Sequence, residues 1–241
     1  MMSFRRLIIW AAAAACLATS ASAQPAPVVT SPAGAVQGLT DGATRVFKSI
    51  PYAVPPVGQG RWRPPVAMPP WQGVKSAVEF GPACVQPSFK FKSVYTQDIG
   101  ATSEDCLTLN VWTPADARKT PVFVWIHGGS FTGGGSKESL YDGARLAQRG
   151  IIVVTVNYRV GVLGYLAHPQ LSNESPLKIS GNYGTLDQVE ALKWVQRNIE
   201  AFGGDQVRPA EFLVAAAGLA GGVLVVDDVF QIIGRLVRQP S

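Results

Sequence analysis

Residues 121–131, Pro-Val-Phe-Val-Trp-Ile-His-Gly-Gly-Ser-Phe, place an unbroken apolar run directly before a glycine-rich turn. A second apolar run follows at residues 151–156. Short runs that are β-rich and apolar on both faces are typical of central strands in a parallel sheet. Residues 142–149, between the runs, have a helical pattern, and Gly150 suits the position just past a helix. The pattern predicts a strand, a glycine-rich loop, a helix and a second strand, which is a βαβ-like unit.

This unit gives a specific expectation for the core. The two runs should form adjacent strands of one sheet, with residues 127–135 at its C-terminal edge. The side chains expected to be buried there are Val122, Val124, Ile126, Val153, Val154 and Val156.

The chain around this unit also has readable local structure. Residues 24–45 alternate in short stretches and predict short strands or a hairpin. Residues 47–72 contain seven prolines and predict an ordered loop, because proline removes backbone donors and fixes φ. Residues 107–112 alternate and stop at Pro114, which predicts another strand.

A longer helix is predicted after residue 184. Thr185 can cap it, and Gln188 would complete a capping box three residues later. Gly203 suits its end. Its apolar face would consist of Val189, Leu192, Val195, Ile199 and Phe202.

Beyond Asp205 the composition changes. Residues 212–226 are rich in Ala, Val, Leu and Gly, which suits either a buried strand or a short helix, and this stretch is too short to cross a bilayer. Apolar residues then recur at helical spacing over residues 229–237.

The N-terminus has the pattern of an export signal. A short basic segment, residues 1–6, precedes an apolar alanine-rich core at residues 7–18 and the small-residue sequence Ala21-Ser22-Ala23. We expect cleavage after Ala23 and a secreted or periplasmic mature chain, without a membrane span. The alternatives are a buried N-terminal helix, or a lipoprotein anchored at Cys16. The three alanines before Cys16 are not the large apolar residue expected of a lipoprotein.

Export would leave two of the three cysteines, Cys84 and Cys106. An even number in an oxidising compartment favours one disulfide, closing a loop of about 20 residues, over two free thiols.

Composition narrows the function classes. The chain has 241 residues, 47% of them hydrophobic and 15% charged, which allows one sizeable domain or two small ones and excludes a disordered chain. The net charge is +5, but the basic residues are scattered and do not predict nucleic-acid binding. Three cysteines and two histidines are too few for a ligand cluster, so we expect no metal and no cofactor.

The turn at His127-Gly128-Gly129-Ser130 is the candidate for chemistry. Glycines let backbone N–H groups point into a cleft, where two donors can stabilise the oxyanion of an acyl-transfer intermediate. A plain tight turn is the alternative. A phosphate cradle fits less well, because the loop lacks the Gly-Lys-Ser/Thr ending of a P-loop.

Several segments resemble the type-B carboxylesterase family, which includes the cholinesterases. They lie in the family's order and cover about residues 28–205. The matching segments are Phe-Lys-Ser-Ile-Pro-Tyr-Ala-Val-Pro-Pro-Val-Gly at 47–58, Ser-Glu-Asp-Cys-Leu-Thr-Leu-Asn-Val-Trp at 103–112, Trp-Ile-His-Gly-Gly-Ser-Phe at 125–131, Val-Asn-Tyr-Arg-Val-Gly at 156–161, and Gly-Asn-Tyr-Gly at 181–184 continuing through Asp187-Gln188 to Phe-Gly-Gly-Asp at 202–205.

The resemblance implies an α/β-hydrolase fold, with a central mostly parallel sheet and flanking helices, truncated after the early strands. It implies hydrolysis of a small-molecule carboxylic ester by a Ser–acid–His triad. Gly129 and Ser130 would supply the oxyanion N–H groups, in a loop that His127 and Gly128 begin. Cys106 would pair with Cys84. Residues 24–205 would be the N-terminal part of the family domain, and residues 206–241 a divergent tail.

The sequence departs from the family at the catalytic residues. It contains no Gly-x-Ser-x-Gly nucleophile motif. The most similar segment is residues 218–222, Gly-Leu-Ala-Gly-Gly, which has Ala220 at the position of the serine. It lies about five residues farther from Asp205 than the motif does in the family. It is either a chance match or the true counterpart of the nucleophile turn. The histidines are His127, in the loop, and His168, expected in a surface loop.

We therefore assign no catalytic nucleophile, acid or histidine, and expect an inactive fragment of a secreted esterase. The alternative is a non-catalytic, cholinesterase-like binding or adhesion module.

Overall fold

The computed structural model describes residues 26–87 and 99–205, together with the backbone of Leu213–Ala216 and Val223–Val225. The predicted signal peptide, residues 218–222 and residues 229–237 lie outside the described residues. The described strands are β1 (Val28–Ser31), β2 (Gly34–Gln37), β3 (Leu39–Asp41), β4 (Thr44–Pro51), β5 (Val74–Ser76), β6 (Ala83–Cys84), β7 (Thr102–Ser103), β8 (Thr108–Pro114), β9 (Val122–Ile126), β10 (Ile152–Val156), β11 (Leu213–Ala216) and β12 (Val223–Val225). The α-helices are α1 (Ala144–Ala147), α2 (Gly161–Tyr165), α3 (Pro169–Glu174) and α4 (Tyr183–Asn198), and 3-10 turns occupy Gly58–Gly60, Ser139–Tyr141 and Ile199–Phe202.

Seven strands form the central sheet in the order β12-β11-β9-β10-β8-β4-β3. Its centre is parallel, since β9 pairs in parallel with both β10 and β11. Its flanks are antiparallel, so the described sheet is mixed rather than mostly parallel. At one flank the physical reason is the two-residue link between β3 and β4, which suits antiparallel neighbours.

The predicted core is confirmed. Val124 lies opposite Val154, and Ile126 opposite Val156, on adjacent parallel strands. The six predicted side chains are all buried. The larger apolar cluster lies on the sheet face that packs against α4, where Trp194 and Val195 are fully enclosed. A smaller cluster lies on the other face, around Trp112 and Val153 beside α1.

Some predicted boundaries are corrected. Residues 47–51 belong to β4 rather than to the proline-rich loop, because they pair with β8 around a bulge. The helix predicted at 142–149 is one turn, Ala144–Ala147, after a separate 3-10 turn. The stretch that suited either a strand or a helix contributes two short strands, β11 and β12.

The capping box predicted for α4 is wrong. The helix begins at Tyr183, and its N-cap, Asn182, has a left-handed backbone and makes no side-chain capping bond. Tertiary packing sets this start: a Cβ on Gly184 would overlap the Arg159 carbonyl oxygen, and the Asp187 carboxylate accepts from the Arg159 backbone and side chain. The helix ends at Asn198, earlier than predicted, and the 3-10 turn Ile199–Phe202 continues it. The predicted stop at Gly203 closes that turn, with φ 93°.

The disulfide prediction is confirmed: Cys84 and Cys106 are bonded, with their Cα atoms 5.0 Å apart. The bond ties β6 to Cys106, two residues before the start of the long strand β8. Among the helices of the described segments, none is both long and apolar enough to cross a membrane.

Candidate active site

The glycine-rich loop begins where β9 ends, at Ile126, and so lies at the C-terminal edge of the central parallel strands, as predicted. Its backbone turns sharply. Gly129, Ser130 and Phe131 all have positive φ, at 112°, 52° and 63°. At Gly129 only glycine fits, because a Cβ there would overlap the carbonyl oxygen of Gly133. Ser130 adopts the left-handed region that a few per cent of non-glycine residues use.

Hydrogen bonds to the loop carbonyls determine where its N–H groups point. The Gly128 carbonyl accepts a bond from His127 Nδ1 at 2.9 Å. The Gly129 carbonyl accepts from the backbone N–H and the hydroxyl of Thr132, each at 2.9 Å. In a trans peptide the N–H points opposite to the carbonyl of the same unit. The Gly129 and Ser130 N–H groups therefore point away from these bonds, and within the described chain neither has an acceptor.

His127 is a structural donor in this arrangement. Its ring is buried and stacks on Tyr158, with the ring centroids 4.4 Å apart. Since a carbonyl can only accept, the bond to Gly128 requires the proton on Nδ1. Burial lowers the pKa of His127 to about 4, against a smaller opposing effect of the Gly128 bond. The ring is therefore neutral at pH 7.

The loop that follows β10 supports the glycine-rich loop with side chains. The Tyr158 hydroxyl donates to the His127 carbonyl at 2.8 Å. Asn157 Oδ1 accepts from the Ser136 N–H at 2.8 Å. The next residue, Arg159, forms a buried bidentate pair with Asp187, with N–O distances of 2.8 and 2.7 Å. The bonds of Tyr158 and Asn157 fix the two ends of the glycine-rich loop, and the Arg159–Asp187 pair anchors the loop after β10 to α4.

An apolar cavity of about 730 Å³ opens beside Gly128, Gly129 and Ser130. Its apolar lining is Phe123, Trp125, Leu140, Tyr141, Leu146 and Val153. Glu138 also lines it; burial raises the pKa of this carboxyl group, and a hydrogen bond from the Gly135 N–H opposes the rise. The cavity thus combines apolar walls with the two residues that carry the unpaired backbone donors.

The structure separates the two histidines. His168 is exposed, as predicted, and caps α3, where its Nδ1 accepts from the Gln170 N–H at 3.3 Å. It does not line the cavity. In the described part of the chain, no group of three His, Cys, Asp or Glu residues could hold a metal ion. Ala220 lies outside the described residues.

Three contributors to the site were not predicted from the sequence as such: Gln86, Glu138 and Tyr158. Gln86 follows the first disulfide cysteine by two residues, and its side-chain amide bonds to Gly134. Only Tyr158 lay in a segment that the sequence comparison had singled out. Gln86 and Glu138 lie outside those segments, and only tertiary contacts bring them to the site.

Comparison with known proteins points to one group. The model of the carboxylesterase family matches residues 25–226. The chain is 47% identical to fumonisin B1 esterase of Sphingopyxis macrogoltabida over 80% of its length and 35% of that protein. It is 44% identical to para-nitrobenzyl esterase of Bacillus subtilis, covering 82% of the chain and 40% of the relative. The chain thus spans well under half the length of these relatives.

Solved structures agree with this. A PNB esterase structure superimposes with a TM-score of 0.70 at 44% identity, over 79% of this chain and 38% of that one. A carboxylesterase of Geobacillus stearothermophilus gives 0.68 at 42% identity, over 78% and 38%. The expected α/β-hydrolase fold class is therefore confirmed for the part of the fold that is present. The family match also reaches past residue 205 and includes β11 and β12.

Proposed function

We propose a function for this chain from one premise: the chain belongs to the carboxylesterase family. Within a carboxylic ester hydrolase, it supplies the part of the active site that binds the ester carbonyl. Gly129 and Ser130 are the two N–H donors of the oxyanion hole, and His127 and Gly128 form the start of the loop that carries them. The substrate class is small-molecule carboxylic esters.

The observation that supports this role is the direction of two peptide units. The carbonyls of Gly128 and Gly129 are occupied by His127 and Thr132, so the N–H groups of Gly129 and Ser130 are left for a ligand. Donors that are already aimed at the developing negative charge lower the barrier to acyl transfer without reorganising. The apolar cavity beside them suits the hydrocarbon part of an ester.

The same chain has no complete triad. Its sequence contains no Gly-x-Ser-x-Gly, and neither histidine is placed as a base. The Nδ1 proton of His127 is engaged by a carbonyl inside the core, and His168 caps a surface helix. Attack on an ester needs an activated nucleophile together with its base. We therefore propose that the 241-residue chain binds the carbonyl group but does not cleave the ester.

The test is an esterase assay on the purified chain, with a phosphonate probe that labels activated serines. We expect no turnover of p-nitrophenyl butyrate above the protein-free rate and no labelled serine, whereas a full-length esterase run in parallel should give both. Ala220→Ser should remain unlabelled too, because the chain offers that serine no base. Stoichiometric labelling of one serine, with turnover abolished by its substitution, would show a nucleophile and overturn the proposal.

A non-catalytic binding module is the second candidate, and the cavity favours it. Two unpaired donors beside an apolar space can hold an ester or a carboxylate without chemistry. Titration calorimetry with ethyl butyrate separates the two. Saturable binding by the chain alone supports a binding module, whereas absence of binding indicates that the chain works only as part of a larger esterase.

We also propose that the mature protein is secreted or periplasmic and begins at Gln24. The basic, apolar and small-residue segments of residues 1–23 support this. Intact-mass measurement of the exported product tests it. A mass that includes residues 1–23 would contradict cleavage after Ala23.

A further inference from the structure

Gln86 makes an unusual set of contacts with the glycine-rich loop. Its Oε1 accepts a hydrogen bond from the Gly134 N–H at 2.6 Å. Its Nε2 donates to the Gly134 carbonyl at 2.7 Å and to the Cys84 carbonyl at 3.0 Å. One side-chain amide thus satisfies both backbone groups of one glycine, as a neighbouring β-strand would. It also ties that glycine to the disulfide-bonded segment.

Gly134 in turn lies against the bond that orients one of the two free donors. Its φ is 111°, and a Cβ there would overlap His127 Nδ1 and come within 2.6 Å of the Gly128 carbonyl oxygen. The α-carbon of Gly134 therefore packs directly on the His127–Gly128 hydrogen bond. That bond fixes the Gly128 carbonyl and, through the same peptide plane, the Gly129 N–H.

The composition of the loop explains why an external contact is needed. Residues 128–135 include five glycines, which have the greatest backbone freedom to lose on ordering. Gly129 and Ser130 at the turn are exposed, and Phe131, which is also exposed, packs its ring against Tyr165 with the centroids 4.9 Å apart. Contacts from outside the loop, among them the hydrogen bonds of Gln86, therefore supply part of its order.

We propose that Gln86 is a positioning residue, which holds Gly134 against the His127–Gly128 bond and so fixes the direction of the Gly129 N–H. The inference rests on the proposed function, because it concerns how the oxyanion donors are held. Gln86 touches neither donor directly, and it transfers no proton. Its role is to remove alternative orientations of the peptide units that end at Gly129 and Ser130.

The experiment uses NMR on the oxidised, full chain with three variants: Gln86→Ala, Gln86→Glu and the control Gln72→Ala. Gln72 is exposed and lies outside the loop contacts. The first readout is amide exchange at Thr132, whose N–H bonds to the Gly129 carbonyl, compared with exchange at Val154 in β10. The second is the shift that butyrate induces in the Gly129 and Ser130 amide resonances.

In Gln86→Ala, Thr132 should exchange at least about tenfold faster while Val154 exchange changes much less, and the butyrate-induced shifts should fall at least about threefold. A role in global stability alone would accelerate both amides together. Gln72→Ala should behave as the wild type does. If Gln86→Ala does not fold, Gln86→Glu decides, since a carboxylate still accepts from Gly134 N–H but cannot donate to its carbonyl.

Unchanged Thr132 exchange in the folded Gln86 variant, relative to Val154, overturns the proposal. The butyrate-induced shifts distinguish a failure of the positioning role of Gln86 from a failure of the proposed function. If butyrate shifts neither donor in the wild type while Thr132 exchange still accelerates, the positioning role stands and the assignment of the donors falls. If butyrate shifts both donors equally in the wild type and in Gln86→Ala, with Thr132 exchange unchanged, the donors stand and the positioning role falls.

Discussion

Strands β9 and β10 lie side by side and run in the same direction, yet the loops that follow them expose different atoms. After β9, Gly129, Ser130 and Phe131 are exposed, and the N–H groups of Gly129 and Ser130 have no acceptor in the described chain. After β10, Asn157, Tyr158, Arg159 and Val160 are all buried, at 3% exposure or less. One loop presents main chain to the cavity, and the other supplies side chains that hold the first in place.

This difference shows how a site made of backbone is kept rigid. N–H groups that must remain free for a ligand cannot take part in holding the loop together. The order therefore has to come from bonds to the carbonyls, made here by His127, Tyr158 and Thr132. By contrast, the polar side chains of the second loop are buried and already make these contacts or the Arg159–Asp187 pair. They are therefore not available to bind a ligand.

The largest expected change in the free energy of unfolding comes from breaking the buried Arg159–Asp187 pair, which anchors the loop after β10. Arg159→Met leaves the Asp187 carboxylate buried without its partner and should lower the free energy of unfolding by about 3–5 kcal/mol. Urea denaturation measures this. Arg63→Met, which breaks an exposed pair with Glu174, should cost no more than about 1 kcal/mol.

The double variant Arg159→Met with Asp187→Leu should recover part of the loss, because no unpaired charge remains buried. Equal losses in Arg159→Met and Arg63→Met would show that the buried pair does not support the second loop.

The disulfide supports the glycine-rich loop from outside the sheet, through the segment that carries Gln86. Cys84→Ser should lower the free energy of unfolding by about 3 kcal/mol, as expected for a bond between cysteines 22 positions apart. Thermal and urea unfolding measure the change, and the exported wild type should show no free thiol with Ellman's reagent. Two reactive thiols in the unreduced mature protein would contradict the bond.

Gly134 tests the packing behind the glycine-rich loop, because Gly150 provides a matched control. Both residues have positive φ, but a Cβ at Gly150 meets nothing within 4 Å, whereas one at Gly134 overlaps His127. Gly150→Ala should cost about 1–2 kcal/mol for its left-handed backbone. Gly134→Ala should cost about 2 kcal/mol more, from overpacking. Similar unfolding free energies for the two variants would argue against close packing behind the Gly128 carbonyl.

The smallest effect is the pH dependence that comes from His127. Burial lowers its pKa in the folded state to about 4, so the unfolded chain, with a pKa near 6.5, takes up the proton first as pH falls. Stability from this group is complete above about pH 6.5, decreases as pH falls, and levels off below about pH 4. At pH 5.5 the loss should be on the order of 1 kcal/mol relative to neutral pH.

Urea unfolding at pH 7.5 and 5.5 measures this loss, with His127→Phe as a variant that should remove it. An equal loss in His127→Phe would show that the buried ring of His127 is not its source.

Prediction from sequence succeeded where a pattern is local and repeated. The buried strands β9 and β10, the stop at Gly203 after the 3-10 turn and the position of the glycine-rich loop each follow from a short run of residues. The prediction failed at the start of α4, where Thr185 is a sound cap in isolation. There Gly184 packs on Arg159, in the loop after β10, and this contact makes Tyr183 the first residue of the helix.

The sequence by itself determined that an apolar strand ends in a glycine-rich turn, that two cysteines can pair, and that no Gly-x-Ser-x-Gly accompanies them. These are properties of neighbouring residues or of composition, and they need no folded structure. Only the tertiary structure decided which way the Gly129 and Ser130 N–H groups point. That direction depends on the groups that donate to the Gly128 and Gly129 carbonyls, which are the ring of His127 and Thr132. The ring of His127 is stacked on Tyr158, which is distant in sequence and meets it only because the sheet places β9 beside β10.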